Sequence, residues 1–154
     1  MKITGQVRVK ASRTAVYEAL RDARFFASCV DGVRDLAEVA PDRYTAVLET
    51  KVAYMSFKFN VTVELVRADP PREIEAKVEG TPLGIVGRLT ATALTILSEA
   101  GAETHIDYSV DSNLTGKLGS LGQPVLRSKA KEMERQFAAR LQAAFDRTGA
   151  EAAP

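Results

Sequence analysis

A chain of 154 residues with a net charge of +1 has room for one hydrophobic core of ordinary size. Its apolar fraction of 45% and charged fraction of 27% are those of a globular protein, and the near-zero net charge sets up no strong field for nucleic acid. No apolar run approaches the roughly 18 residues of a membrane span, and the N-terminal MKITGQVRVK alternates where a signal peptide would be continuously apolar, so a cytoplasmic protein is expected.

Over residues 2–10, Ile3, Gly5, Val7 and Val9 fall on one side of a strand. Ser12 is placed to cap a helix whose early turns carry Val16, Tyr17 and Leu20. A second short helix is predicted over 23–29, followed by a turn at Asp31-Gly32. The single cysteine, Cys29, excludes an intramolecular disulfide. Beside Phe25, Phe26 and Val30 it reads as a small buried hydrophobe rather than a reactive thiol.

From residue 33 to about 114 the pattern is sheet. Strands are predicted at 34–40 and from Tyr44 to about Ala53, with Pro41-Asp42 between them. The next strand alternates most clearly. Met55, Phe57, Phe59, Val61, Val63 and Leu65 lie on one face, and Ser56, Lys58, Asn60, Thr62 and Glu64 on the other. After the turn Asp69-Pro70-Pro71-Arg72, residues 73–80 point Ile74, Ala76 and Val78 inward. A loop at 81–86 precedes a strand reaching about Leu97, and the turn Ser98–Glu103 precedes a strand at 104–114 with Thr104, Ile106, Tyr108 and Val110 inward. His105, the only histidine, then points outward, as do Asp107 and Asp111, and no imidazole metal site is available. Short turns between successive strands imply an antiparallel meander.

The chain ends in a predicted helix from about 116 to 146. Leu118, Leu121, Val125, Ala130, Met133, Phe137, Leu141 and Ala144 form its apolar face, with a break or bend expected near Pro124. Residues 147–154 are expected to be a short flexible tail, leaving a single domain over 1–146. These elements make an α+β domain: a seven-stranded antiparallel curved sheet, two short N-terminal helices, and a long C-terminal helix covering the concave face.

The inner surface is lined by small residues at its middle: Ala91 and Ala93 on one strand, Ala76 and Gly80 beside it. Facing small residues mean either a close helix or an apolar cavity. Curvature holds the helix off the sheet and favours the cavity, a natural site for an apolar ligand. The expected lining is Phe59, Val61, Val78, Leu89, Ala91, Ile106, Tyr108, Val110, Leu118, Leu121, Val125 and Met133. In a meander alternate turns share an end. One end collects polar turns; the other collects Tyr54, Met55, Leu83, Ile85 and Val86 with the glycines Gly116 and Gly119. Such apolar tips either plug the barrel or form a mobile mouth. Arg88, next to this end, reads as a solvated arginine or a contact for a polar head group. No phosphate loop, dinucleotide fingerprint, nucleophile elbow or HExxH occurs, and no inward acid or histidine is assigned, which argues against an enzyme.

The chain resembles the CoxG family of carbon monoxide dehydrogenase subunits, within the START-like or helix-grip superfamily that includes the Bet v 1-like folds. The resemblance rests on GQVRVKASRTAVYEAL, SCVDGV, FKFNVTVELVRADPP, GRLTATALTIL, and DSNLTGKLGSLG leading into KEMERQFAARL. It implies a non-catalytic accessory protein of molybdenum hydroxylases of the carbon monoxide dehydrogenase type. Such a protein docks the enzyme at the inner face of the membrane or carries a quinone between the two. The implied ligand is a prenyl-quinone, menaquinone or ubiquinone, or another lipid; no intrinsic cofactor or metal is implied. The chain ends soon after the helix, without the extension relatives can use for membrane contact, so peripheral and transient contact through the mouth is expected. The alternatives on the same scaffold are a cyclase or hydrolase of a hydrophobic substrate and a purely structural adaptor.

Overall fold

A computed structural model describes the backbone of residues 1–152 and the side chains through Asp146. The strands are β1 (Lys2–Val9), β2 (Val33–Ala40), β3 (Arg43–Val52), β4 (Met55–Asp69), β5 (Glu73–Pro82), β6 (Gly87–Ala100) and β7 (Glu103–Gly116). Two short helices, α1 (Arg13–Arg21) and α2 (Ala23–Ser28), follow β1, and a long helix α3 (Gln123–Ala152) ends the chain. The strands form one antiparallel sheet in the order β1-β7-β6-β5-β4-β3-β2. This is the curved sheet and long helix expected from the alternation pattern, and the helix-grip architecture that the resemblance implies.

The N-terminal helices begin where the sequence supplies acceptors. Ser12 Oγ accepts from the Ala15 amide at 3.2 Å. Asp22 serves twice. Its own amide closes the last turn of α1, and its carboxylate accepts from the Arg24 and Phe25 amides at 3.0 and 3.3 Å to open α2. A bulge between Leu65 and Arg67 bends the long β4 and helps the sheet wrap.

Several boundaries differ from expectation. Strands β5, β6 and β7 run further, to Pro82, Ala100 and Gly116, because each has a partner ladder to join; the amide after Pro82, that of Leu83, still donates to Lys58 O at 2.8 Å. Residues 116–122 are not helical in the expected way. Gly116 takes a φ of +66°, a 3-10 turn spans Gly119–Leu121, and α3 starts only at Gln123. Pro124 therefore sits in the first helical turn, where no backbone donor is needed, and it starts the helix instead of bending it. The first α-type bond runs from the Leu126 amide to Gly122 O at 3.2 Å. Helix α3 also continues through Ala152, into the segment expected to be a flexible tail; Ala153 and Pro154 lie outside the described residues.

The core is concentrated at one end of the grip. Val7 and Val9 of β1, Val16 and Tyr17 of α1, Ile74, Leu97, Ile106 and Leu141 of α3 form one buried cluster, with Phe137 and Phe145 packed against it. Phe26 and Phe25 of α2 stack on Phe137 and Phe145 with ring centroids 4.8 and 6.1 Å apart. Gln142 Nε2 donates to Arg8 O at 2.9 Å, and Arg140 pairs with Asp31. The C-terminal half of α3 is thus fixed to β1 and to the α2–β2 corner. The main backbone approaches of α3 are to β1, β3 and the 3-10 turn, so it bridges the flanks of the sheet and stands off its middle strands.

Candidate functional site

Register fixes which side chains share the concave face. Directly opposed residues in an antiparallel pair point the same way. One row across the sheet is Val63, Val78, Ala91 and Ser112; the next is Leu65, Ala76, Ala93, Val110 and Ile3. The row nearer the packed end is Ile74, Thr95, Tyr108 and Gly5. Small residues therefore do meet at the middle of the sheet. Val61, Val63, Val78, Ala91, Ala93 and Val110 are each only half-buried although α3 crosses above them. In contrast Val9 and Leu141 at the packed end are fully buried. Interiors normally pack to crystal-like density. The middle of the concave face is thus less enclosed than the packed end.

The sequence-assigned lining residues divide accordingly. Val61, Val78, Leu89, Ala91, Tyr108 and Val110 of the sheet, Leu121 of the 3-10 turn, and Val125 and Met133 of α3 are half-buried. Ile106 is placed in the packed cluster, and Phe59 is buried against Gly80 and beside Phe57. Leu118 differs most from expectation. It lies in the loop before α3, not on the helix, and only 1% of it is exposed. Its side chain covers Gly87, where a Cβ would lie 3.5 Å from Leu118 Cγ and 2.7 Å from Thr115 O. The amide of Lys117 donates to Val86 O at 3.0 Å. Leu118 is thus a latch between the β5–β6 loop and the segment leading to α3.

Around this latch the turn tips are exposed. Tyr54 is 97% exposed and Val86 80%, and Leu83 and Met55 are exposed as well. Ile85 is half-buried. Val52 pairs with Met55, Leu83 bonds to Lys58, and Gly87 pairs with Gly116, so all these tips lie at one end of the sheet. Gly116 and Gly119 belong to the same end; a Cβ on Gly119 would lie 2.7 Å from Leu114 O. Arg88 does not face an open head-group site. Its guanidinium is 3.1 Å from Glu79 on the outer face.

One polar group in the interior escaped the sequence reading. Glu134 sits in the apolar stripe of α3, four residues after Ala130 and seven before Leu141, and its Oε1 is buried with no hydrogen-bond partner in the protein. Its carboxylate faces the phenol of Tyr108. Burial first, then the negative charge and hydrogen bonding of Glu134, push the Tyr108 pKa up to about 12. Tyr108 lies across Gly5, where a Cβ would overlap the phenol. The expectation of no inward acid is therefore corrected: the spacing of Glu134 along the helix carried the signal, but its charge argued for solvent.

Elsewhere the chemistry is sparse. Cys29 is 2% exposed, and burial pushes its thiol up, as expected of a structural cysteine. His105 pairs with Arg8 and Ser98 in the ladder. Asp107 accepts from Gln6 Nε2 at 2.9 Å on the outer face. Among the described residues no group of three or more His, Cys, Asp or Glu side chains could hold a metal, and no helix is long and apolar enough to cross a membrane. A cleft of about 190 Å³ opens between the α2–β2 corner, the end of β3 and α3, lined by Cys29, Thr50 and Met133 among others. A shallower one of about 480 Å³ lies on the outer face by Thr4, Leu94 and Ile96. Neither is the elongated pocket expected under α3.

A family model described as a carbon monoxide dehydrogenase subunit (CoxG) matches residues 5–145. No curated protein matches the chain. Among solved structures, a conserved protein from Geobacillus kaustophilus is similar with a TM-score of 0.89 and 22% identity, covering 96% of this chain and 97% of that one. A START superfamily protein from Mycobacterium smegmatis has a TM-score of 0.74 at 12% identity, covering 96% and 98%. The Zhui aromatase/cyclase from Streptomyces sp. R1128 has a TM-score of 0.66 at 14% identity, covering 96% and 94%. At such identities these likenesses establish the START-like fold alone.

Proposed function

Because the chain belongs to the CoxG family of carbon monoxide dehydrogenase subunits, we propose that it is a carrier, not a catalyst, holding an apolar small molecule beneath α3. The ligand class is a prenyl-quinone such as menaquinone or ubiquinone, passed between a membrane and a molybdenum hydroxylase of the carbon monoxide dehydrogenase type. The observation that carries the reading is a coincidence of position. The end of the sheet whose turn tips expose Tyr54, Met55, Leu83 and Val86 lies next to the half-buried middle of the concave face, on the side away from the packed cluster. A prenyl chain cannot cross water cheaply, since each methylene withdrawn from water contributes about 0.8 kcal/mol. An apolar rim at the opening lets the chain pass from one apolar medium directly into another.

Among the described residues, the pair of Tyr108 and Glu134 is the feature that would favour an enzyme acting on an apolar substrate. A phenol with a pKa near 12 is a poor proton donor close to neutral pH, which supports binding over acid–base chemistry. Native mass spectrometry of the purified protein, followed by solvent extraction, tests the reading. The expected result is a mass increment matching one extracted prenyl-quinone. Protein that stays ligand-free after purification and after incubation with quinone-loaded vesicles would refute it.

A further inference from the structure

We propose that Glu134 and Tyr108 form the polar end of the ligand site and select a ring that carries a hydroxyl, so that the reduced, dihydroxy form of a quinone is held in preference to the oxidised, dicarbonyl form. The inference rests on the carrier reading and adds to it which redox form fits.

Tyr108 comes from the middle of β7, opposite Gly5 and Thr95, and its ring lies over Gly5 because that position has no side chain. Glu134 comes from the covering helix, within the stripe of Ala130, Phe137 and Leu141 that faces the sheet. The two meet across the interior. Tyr108 places its phenol near the Glu134 carboxylate. Glu134 Oε1 is buried and has no hydrogen-bond partner in the protein. A carboxylate only accepts. A bound ring presenting a hydroxyl supplies the missing donor; a ring presenting a carbonyl puts a second acceptor against the first and leaves both unpaired in apolar surroundings. The neighbouring inward residues Val110, Ala93 and Leu97 offer no donor, and the hydroxyl of Thr95, opposite Tyr108, both donates and accepts and so serves either form without distinguishing them. A carrier with this preference takes up the product of an enzyme that reduces a quinone and releases it where it is reoxidised.

Anaerobic equilibrium dialysis with a short-chain prenyl naphthoquinone, supplied oxidised or already reduced with dithionite, tests the proposal. The wild-type protein is expected to hold the reduced form at least about tenfold more tightly, as a charge-assisted hydrogen bond implies. Glu134→Gln, whose amide both donates and accepts, is expected to bring the two affinities to within about twofold. Tyr108→Phe removes the competing donor, leaves the acid in place, and is expected to keep the preference. If Glu134→Gln does not fold by circular dichroism, Glu134→Leu takes its place with the same expectation. Equal affinity of the wild type for both forms, or a preference that survives removal of the acid, overturns the proposal and leaves the carrier reading standing. Failure of the wild type to bind either form overturns both.

Discussion

Gly5 shows how one residue can set the geometry of a site on the neighbouring strand. It faces Tyr108 across the β1–β7 ladder, and any side chain there would occupy the volume of the phenol. Gly5→Ala is expected to cost about 1–3 kcal/mol in urea unfolding, the range for overpacking an interior. In a Tyr108→Ala background the same change is expected to cost less than about 0.5 kcal/mol, because the two residues then no longer compete for space. Equal costs in both backgrounds would contradict the contact. The inward direction of Tyr108 was readable from strand alternation alone. The role of Gly5 was not, because the sequence shows that a glycine shares the face but not that a particular ring lies over it. Glu134 was missed for another reason: a lone acid in an apolar stripe looks like surface until a partner from a distant strand is seen.

At the scale of elements, α3 has two jobs. Its C-terminal half seats Phe137, Leu141 and Phe145 in the packed cluster, while its N-terminal half spans the small residues of β5, β6 and β7. Ala91 lies beneath that span, between Val78 and Ser112. Ala91→Phe is therefore expected to change unfolding free energy by less than about 1 kcal/mol, where a filled core would lose about 1–3 kcal/mol. The same variant is expected to carry less extractable ligand than wild type. A large loss of stability without any change in ligand content would mean that α3 packs directly on the sheet. Most strands were legible because period-two alternation survives in them, and register follows once one face is buried; β2, with two register shifts against β3, is an exception. The start of α3 was not legible: Leu118, Leu121 and Val125 recur at helical spacing although the first two serve a loop and a 3-10 turn. Gly116 and Gly122, both at positive φ, bound that segment and set it apart from the helix.

The whole molecule is polar in its construction. At one end the polar turns, α1 and α2 close around the buried cluster, with Arg21 3.1 Å from Asp42 and Arg13 3.5 Å from Glu99 as surface ties. At the other end the turns are apolar, exposed and latched by Leu118. The meander order places alternate turns at the same end, so this asymmetry could be read from the chain; whether the apolar tips plug or open the interior could not, since that depends on burial. The structure divides them, with Leu118 buried and Tyr54, Met55, Leu83 and Val86 exposed. Passage of ligand through this rim is tested most directly by the rate of quinone transfer between donor and acceptor vesicles, measured against vesicle concentration. Wild-type protein is expected to accelerate transfer. Leu83→Asp with Ile85→Asp is expected to slow it at least about tenfold, since two charges at the rim oppose entry into an apolar medium, with circular dichroism unchanged. A double variant that transfers quinone as fast as wild type would contradict the account and place the entrance elsewhere on the grip.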